Sequence, residues 1–135
     1  MFTQLLHPVR AMSSSATAVA GTFGRIAALP LRIDGFELSG LELPLTPEYT
    51  RMTTVVRLHG ASHEGVGEDT TYAAPDQLAV RVGGLDLPLA GDWTIDTFSA
   101  HLERLDLFPV GPSTADFVNF RRWAFESAAL DLALR

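Results

Sequence analysis

His59, His63 and Glu64 fall close together in "HGASHEG", and imidazole and carboxylate groups in such proximity are the kind of donors a divalent metal takes. Metal ligands must also converge and be oriented by partners of their own. Three polar residues on a hairpin turn read instead as the turn itself, so no metal ligand is assigned. Glu68 is a carboxylate that could serve as a general acid; its alternative is to anchor a strand end. Arg51 follows Tyr49 and Thr50, and its guanidinium could form a two-pronged contact with a substrate carboxylate. The alternative for Arg51 is a solvated charge at the end of a strand. His101, Glu103 and Arg104 read as the exposed face of a helix. No Ser–His–Asp arrangement is legible, and the glycines of "RVGGLDLPLAG" follow no phosphate-loop spacing.

Several kinds of chemistry are excluded by composition. All ten basic residues are arginine, so lysine bases and Schiff bases are absent. There is no cysteine, which removes disulfides, thiolate nucleophiles and Cys-type zinc sites and suits a cytoplasmic chain. The net charge of -6 and the scattered arginines leave no nucleic-acid footprint. Nothing approaches the roughly 18 apolar residues of a membrane span.

The elements that would position these residues divide by period. Residues 31–45, "LRIDGFELSGLELPL", alternate apolar and polar, with a frame shift near Gly40 that predicts a bulge or a break there. "LTPEYT" is read as a loop, since Pro44 and Pro47 oppose ladder pairing. "TRMTTVVRLHG" is rich in β-branched residues, and a turn and a short strand follow it. The period then becomes helical. Pro75 opens a short helix closed by Gly83, "GLDLPLAGD" is a loop, and Thr94 caps an amphipathic helix carrying Ile95, Phe98, Leu102 and Leu105. Ser113 or Thr114 is expected to cap a final helix of about twenty residues. The fold class is therefore α+β: a three-stranded antiparallel meander followed by a helical segment.

Two regions stand out. Residues 1–30 contain no acidic residue and are rich in Ser, Ala and Thr; they are expected to be a disordered leader or an over-extended start, with 31–135 as the domain. At the other end, Asn119, Arg122 and Glu126 share a face that can meet water, but Ala128, Ala129, Leu130, Leu132, Ala133 and Leu134 surround the last two turns. Only Asp131 and Arg135 interrupt them, spaced to pair with each other. A helix apolar all round is usually covered on two sides, and exposed leucines there would each forfeit about 1.5–3 kcal/mol of burial. The expectation is a second partner, with self-association through this helix or a fraying terminus as the alternative.

The order of these features resembles the N-terminal capping domain of the enolase superfamily, most closely the muconate-lactonizing and dipeptide-epimerase branch. The third strand carries G-x-G-E, here Gly65, Gly67 and Glu68, and the last helix carries Glu126, then Ala129 and Leu130, then Asp131. The resemblance covers roughly residues 31–135. It implies a cap that closes over a barrel, which would be missing from this chain or separately encoded. The parent would be a Mg²⁺-dependent epimerase, racemase or cycloisomerase acting alpha to a carboxylate. The metal ligands and the acid–base residues would lie on the barrel strands, so the cap alone would hold no cofactor and no catalytic residue. Its share would be substrate contact from two loops: Thr46–Arg51, with Tyr49, Thr50 and Arg51, and Asp69–Tyr72, with Asp69, Thr70 and Tyr72. The alternative is a stand-alone homodimeric module that binds a small ligand.

Overall fold

The β-branched run Thr53–Val56 lies at the centre of the larger sheet, where β-branched side chains pack well on a pleated surface. The computed structural model describes residues 21–135. In chain order the elements are α1 (Thr22–Ile26), β1 (Pro30–Ile33), β2 (Gly35–Thr46), β3 (Tyr49–Gly60), β4 (His63–Asp69), α2 (Ala74–Gly83), β5 (Gly91–Thr94), α3 (Ile95–Glu103) and α4 (Phe117–Ala133). β2, β3 and β4 form the antiparallel meander, and the helices cover one of its faces. The fold is α+β, as its periodicity predicts.

The core lies between that sheet and α3 and α4. Leu58, Phe98, Phe125 and Ala128 are essentially inaccessible to solvent, and Phe36 of β2 meets Phe125 of α4 edge-on at 6.1 Å. α4 sits closest to β4 because Gly65 and Gly67 carry no side chain. A Cβ on Gly65 would overlap the Ala128 carbonyl, and one on Gly67 the Ala124 carbonyl. At the edge of β4, the Asp131 carboxylate accepts the Val66 N–H at 2.9 Å and pairs with Arg135 at 3.0 Å. The Val66 hydrogen bond, helped by Arg135, holds the Asp131 carboxyl below its ordinary pKa.

Several expectations need correction. β2 runs unbroken through Gly40; the chain breaks at Asp34, and the register shift lies between Pro44 and Thr46. Pro44 is tolerated because β2 is an edge strand, so "LTPEYT" is mostly strand around a tight turn. β1, read as the start of the first strand, instead pairs in a second, two-stranded sheet with β5, whose first half, Gly91 and Asp92, falls in the segment read as a loop. Thr94 does cap α3, in a reciprocal capping box with Thr97. Neither Ser113 nor Thr114 caps α4, which begins at Phe117 with no side-chain cap. Part of the expected leader is structured, since α1 and the start of β1 precede Leu31; residues 1–20 lie outside the described residues.

The polar face expected on α4 does not point to open water. Glu126 accepts the Ser99 hydroxyl at 2.6 Å, and Arg122 lies 3.7 Å from Glu103, so both turn toward α3. The apolar ring is also better covered than its sequence implies. Ala128, Ala129 and Leu132 are buried and Leu130 is half-buried, which leaves Leu134 exposed at the end and Trp123 half-exposed above it.

Candidate functional site

β4 ends at Asp69, opposite Thr54. Beyond Thr53 the meander therefore continues as a two-stranded arm, in which residues 41–50 are all exposed. The pairing of β2 with β3 keeps one register from Gly35↔His59 to Pro44↔Thr50. Side chains alternate strictly along such a strand, so the change of apolar parity at Gly40 moves the leucines from one face to the other. Phe36 and Leu38 turn toward the helices, whereas Leu41 and Leu43 stand on the opposite, outer face at 52% and 56% exposure.

Arg51 is on that outer face, directly across from Leu43. It lines a shallow recess of about 300 Å³ with Leu41, Leu43, Thr53 and Glu68. Glu68 is held there by the Thr53 hydroxyl, which donates to it at 2.7 Å. The G-x-G-E glutamate thus fixes the end of β4 to β3, as the anchoring alternative for it expects. Tyr49 and Thr50 are exposed at the tip of the arm.

The second predicted loop lies at the same end of the sheet but on its other side. Asp69 is buried, and its carboxylate is occupied by the Arg121 Nε at 2.8 Å and the Thr71 N–H at 3.0 Å. It is therefore not accessible to a ligand. Thr70 is exposed. Tyr72 is 61% exposed and packs edge-on against Phe117 at 4.7 Å. Arg51 is three residues beyond the level of Asp69, about 10 Å along the strand. Tyr49, Thr50, Arg51, Thr70 and Tyr72 thus share one end of the molecule, with Arg51 and Tyr72 on opposite sides of the sheet.

Behind the second loop is a buried polar cluster that the sequence reading missed. Gln77 accepts the Thr54 hydroxyl at 2.6 Å and donates to the carbonyls of Thr71 and Asp69 at 2.8 and 3.2 Å. Arg121 also donates to the Leu107 carbonyl at 2.8 Å and lies 3.7 Å over the Phe108 ring. Asp76 accepts both the hydroxyl of Ser113, at 2.7 Å, and its N–H. The cluster fixes Asp69–Thr71 to α2 and α4. Its signal was available, because Arg121 occupies an apolar position in the spacing Phe117, Arg121, Ala124, Phe125, Ala128.

The remaining titratable groups serve structure or surface. His59 lies 3.0 Å from Glu37 and 3.6 Å from Glu64 on the outer face, and Arg57 pairs with Glu64 at 3.3 Å. No group of three or more His, Asp or Glu side chains that could hold a metal occurs among the described residues. His101 is not simply solvent-exposed, since it stacks on Trp93 at 4.5 Å and bonds the Pro88 carbonyl at 2.7 Å. Among the described residues no helix is long and apolar enough to cross a membrane. The site can therefore present a guanidinium, aromatic faces and leucines to another molecule.

Apolar surface also continues down α4. Phe120 and Trp123 lie 5.6 Å apart beside Tyr72, and Trp123 opens onto a groove of about 520 Å³ between α1, α3 and α4. The family model described as "Domain of unknown function (DUF8230) N-terminal domain" matches residues 24–135. No curated protein and no solved structure matches the chain.

Proposed function

The chain belongs to the DUF8230 N-terminal-domain family, and on that premise we propose that it is a capping domain that docks on a second domain and contacts that domain's ligand from one end. The observation that carries this reading is the flank of α4 that the described residues leave uncovered. Trp123 is 51% exposed and Tyr72 61%, and with Phe120 they form one aromatic ridge beside the α1–α3–α4 groove. Aromatic residues are the usual anchors of protein interfaces. The family's description as an N-terminal domain supports a further domain as the occupant.

In this reading the arm and the Asp69–Tyr72 loop form a lip. Arg51 would receive a carboxylate of the ligand, Leu41 and Leu43 its apolar portion, and Tyr49, Thr50, Thr70 and Tyr72 would close around it. Asp69 holds the second loop in place from inside. The resemblance to enolase-superfamily caps extends this to a parent that is a Mg²⁺-dependent epimerase, racemase or cycloisomerase, in which cap closure excludes water. The metal and the acid–base groups would belong to the barrel, linked to this chain or docked in trans, and no residue of this chain is assigned to them.

Sedimentation combined with hydrophobic-dye titration tests the docking surface. Dye binding is expected at the ridge and should fall sharply in Trp123→Ser. A monomer that binds no dye would sink the proposal, and a tight homodimer that hides Trp123 would favour the stand-alone module instead. Reading the nucleotide sequence beyond codon 135 is a second check. A frame entering alternating strands and helices, or an adjacent barrel gene, is the expected result.

A further inference from the structure

A two-stranded ribbon is at best marginally stable alone, yet the arm runs five paired positions past the last residue of β4, from Leu41↔Thr53 to Thr46↔Tyr49. Besides the Thr53–Glu68 hydrogen bond on the outer face, its tie to the body comes from α2. Arg81 reaches across the helix-facing side of the sheet, where Nη1 donates to Glu42 at 2.6 Å. Nη2 donates to the Leu41 carbonyl at 2.7 Å and the Thr53 carbonyl at 3.3 Å. One guanidinium therefore grips both strands at the root of the arm. Nε of Arg81 is buried with no acceptor among the described residues, and the side-chain hydrogen bonds found there all go to the arm. Gly40 provides the seat, since a Cβ there would overlap the guanidinium.

We infer that Arg81 is a latch: a positioning residue that sets the angle of the arm against the body. Its planar fork meets two carbonyls and a carboxylate together, which a lysine ammonium on a flexible stem does not reproduce. Glu42 is 58% exposed while the Arg81 side chain is 21% exposed, so salt would weaken the ion pair and leave the carbonyl bonds in place. The frame shift at Gly40 thus has two effects at one residue. It sends the leucines to the outer face and bares the sheet for the latch. The consequence for a ligand rests on the lip reading above; the latch itself rests only on contacts within this chain.

Amide hydrogen exchange on the whole chain tests this. In Arg81→Met, the amides of residues 41–46 and 49–52 that bond across the β2–β3 ladder (Pro44 has none) are expected to exchange about ten to a hundred times faster, the range for lost hydrogen bonds to a charged group. Amides of β4 and α4 should keep their rates. Gly40→Ala, which removes no polar group but displaces the guanidinium, should have the same local effect and serves if Arg81→Met does not fold. Arg81→Lys should restore only part of the protection. Unchanged arm exchange in Arg81→Met and Gly40→Ala would overturn the latch, and so would an equal rise throughout the body. A chain that never docks on a second domain would leave these rates untouched, so the latch and the cap reading fail separately.

Discussion

Replacing Asp69 with alanine would leave the Arg121 guanidinium inside the protein without its counter-charge. Asp69 and Arg121 are 1% and 2% exposed, and their contact is a direct 2.8 Å hydrogen-bonded ion pair. Removing one partner of a buried pair costs about 3–5 kcal/mol, because the survivor stays desolvated. Arg121 would retain the Leu107 carbonyl and the Phe108 ring, while the Thr71 N–H would lose its acceptor. The lower part of that range, about 3 kcal/mol, is therefore expected. Against the roughly 5–15 kcal/mol that holds a typical domain together, this is a large fraction. It corresponds to a fall in Tm of about 10–15 °C for a chain of this size. Urea denaturation followed by tryptophan emission would measure the loss. The double variant Asp69→Leu/Arg121→Met should recover much of it, since neither buried charge then remains. A cost under about 1 kcal/mol for Asp69→Ala, or strict additivity in the double variant, would refute the assignment of this pair as the anchor of the second loop.

Other expectations can be checked with the same kinds of measurement. Gly67→Ala should destabilise by at least about 1–3 kcal/mol in urea, because the Cβ meets backbone rather than a movable side chain, whereas Gly35→Ala, which meets nothing within 4 Å, should be close to neutral. Ala61 and Ser62 turn the β3–β4 hairpin at φ 48° and 64°, so Ser62→Gly should stabilise the protein by up to about 1 kcal/mol, read as a higher urea midpoint. Thr94→Ala should cost about 1 kcal/mol through the capping box, seen as a lower melting temperature. The Asp131 carboxyl has a folded-state pKa lowered by the Val66 N–H and Arg135. Its contribution is therefore complete above the ordinary aspartate value of about 3.9 and lost as pH falls through the lower folded value. Asp131→Asn should flatten the acid limb of the stability curve and leave its neutral limb parallel to the parent's.

The meander was legible because alternation and β-branching report a sheet with one covered face, and the Thr94 cap because its signal is local. β5 was not legible. "GDWT" has too little pattern to declare a strand, and it becomes one only because β1, far away in sequence, supplies the ladder. The frame shift at Gly40 was visible, but periodicity alone does not distinguish a bulge from a strand whose two halves cover opposite faces. The sheet beyond Thr53 has lost its third strand, so the outer face there can carry leucines without a kink. The loops of the lip could be named from sequence, yet Asp69 and Arg51 look alike there as isolated charges. Only Arg121, fifty-two residues on, decides that Asp69 faces inward.

Where α4 crosses β4, main chain rests on main chain, with the carbonyls of Ala124 and Ala128 over Gly67 and Gly65. Shifting the helix by one residue would bring the positions of Trp123 or Phe125 onto those notches, and neither ring fits there. The stretch between Ser113 and Phe117 can therefore vary in length only if the helix keeps its phase, so insertions should be tolerated there and rejected between Phe117 and Asp131. An engineer who grafts a new lip onto this body can change the tip of the arm, outside the Arg81 contacts, but inherits the phase of α4 unchanged.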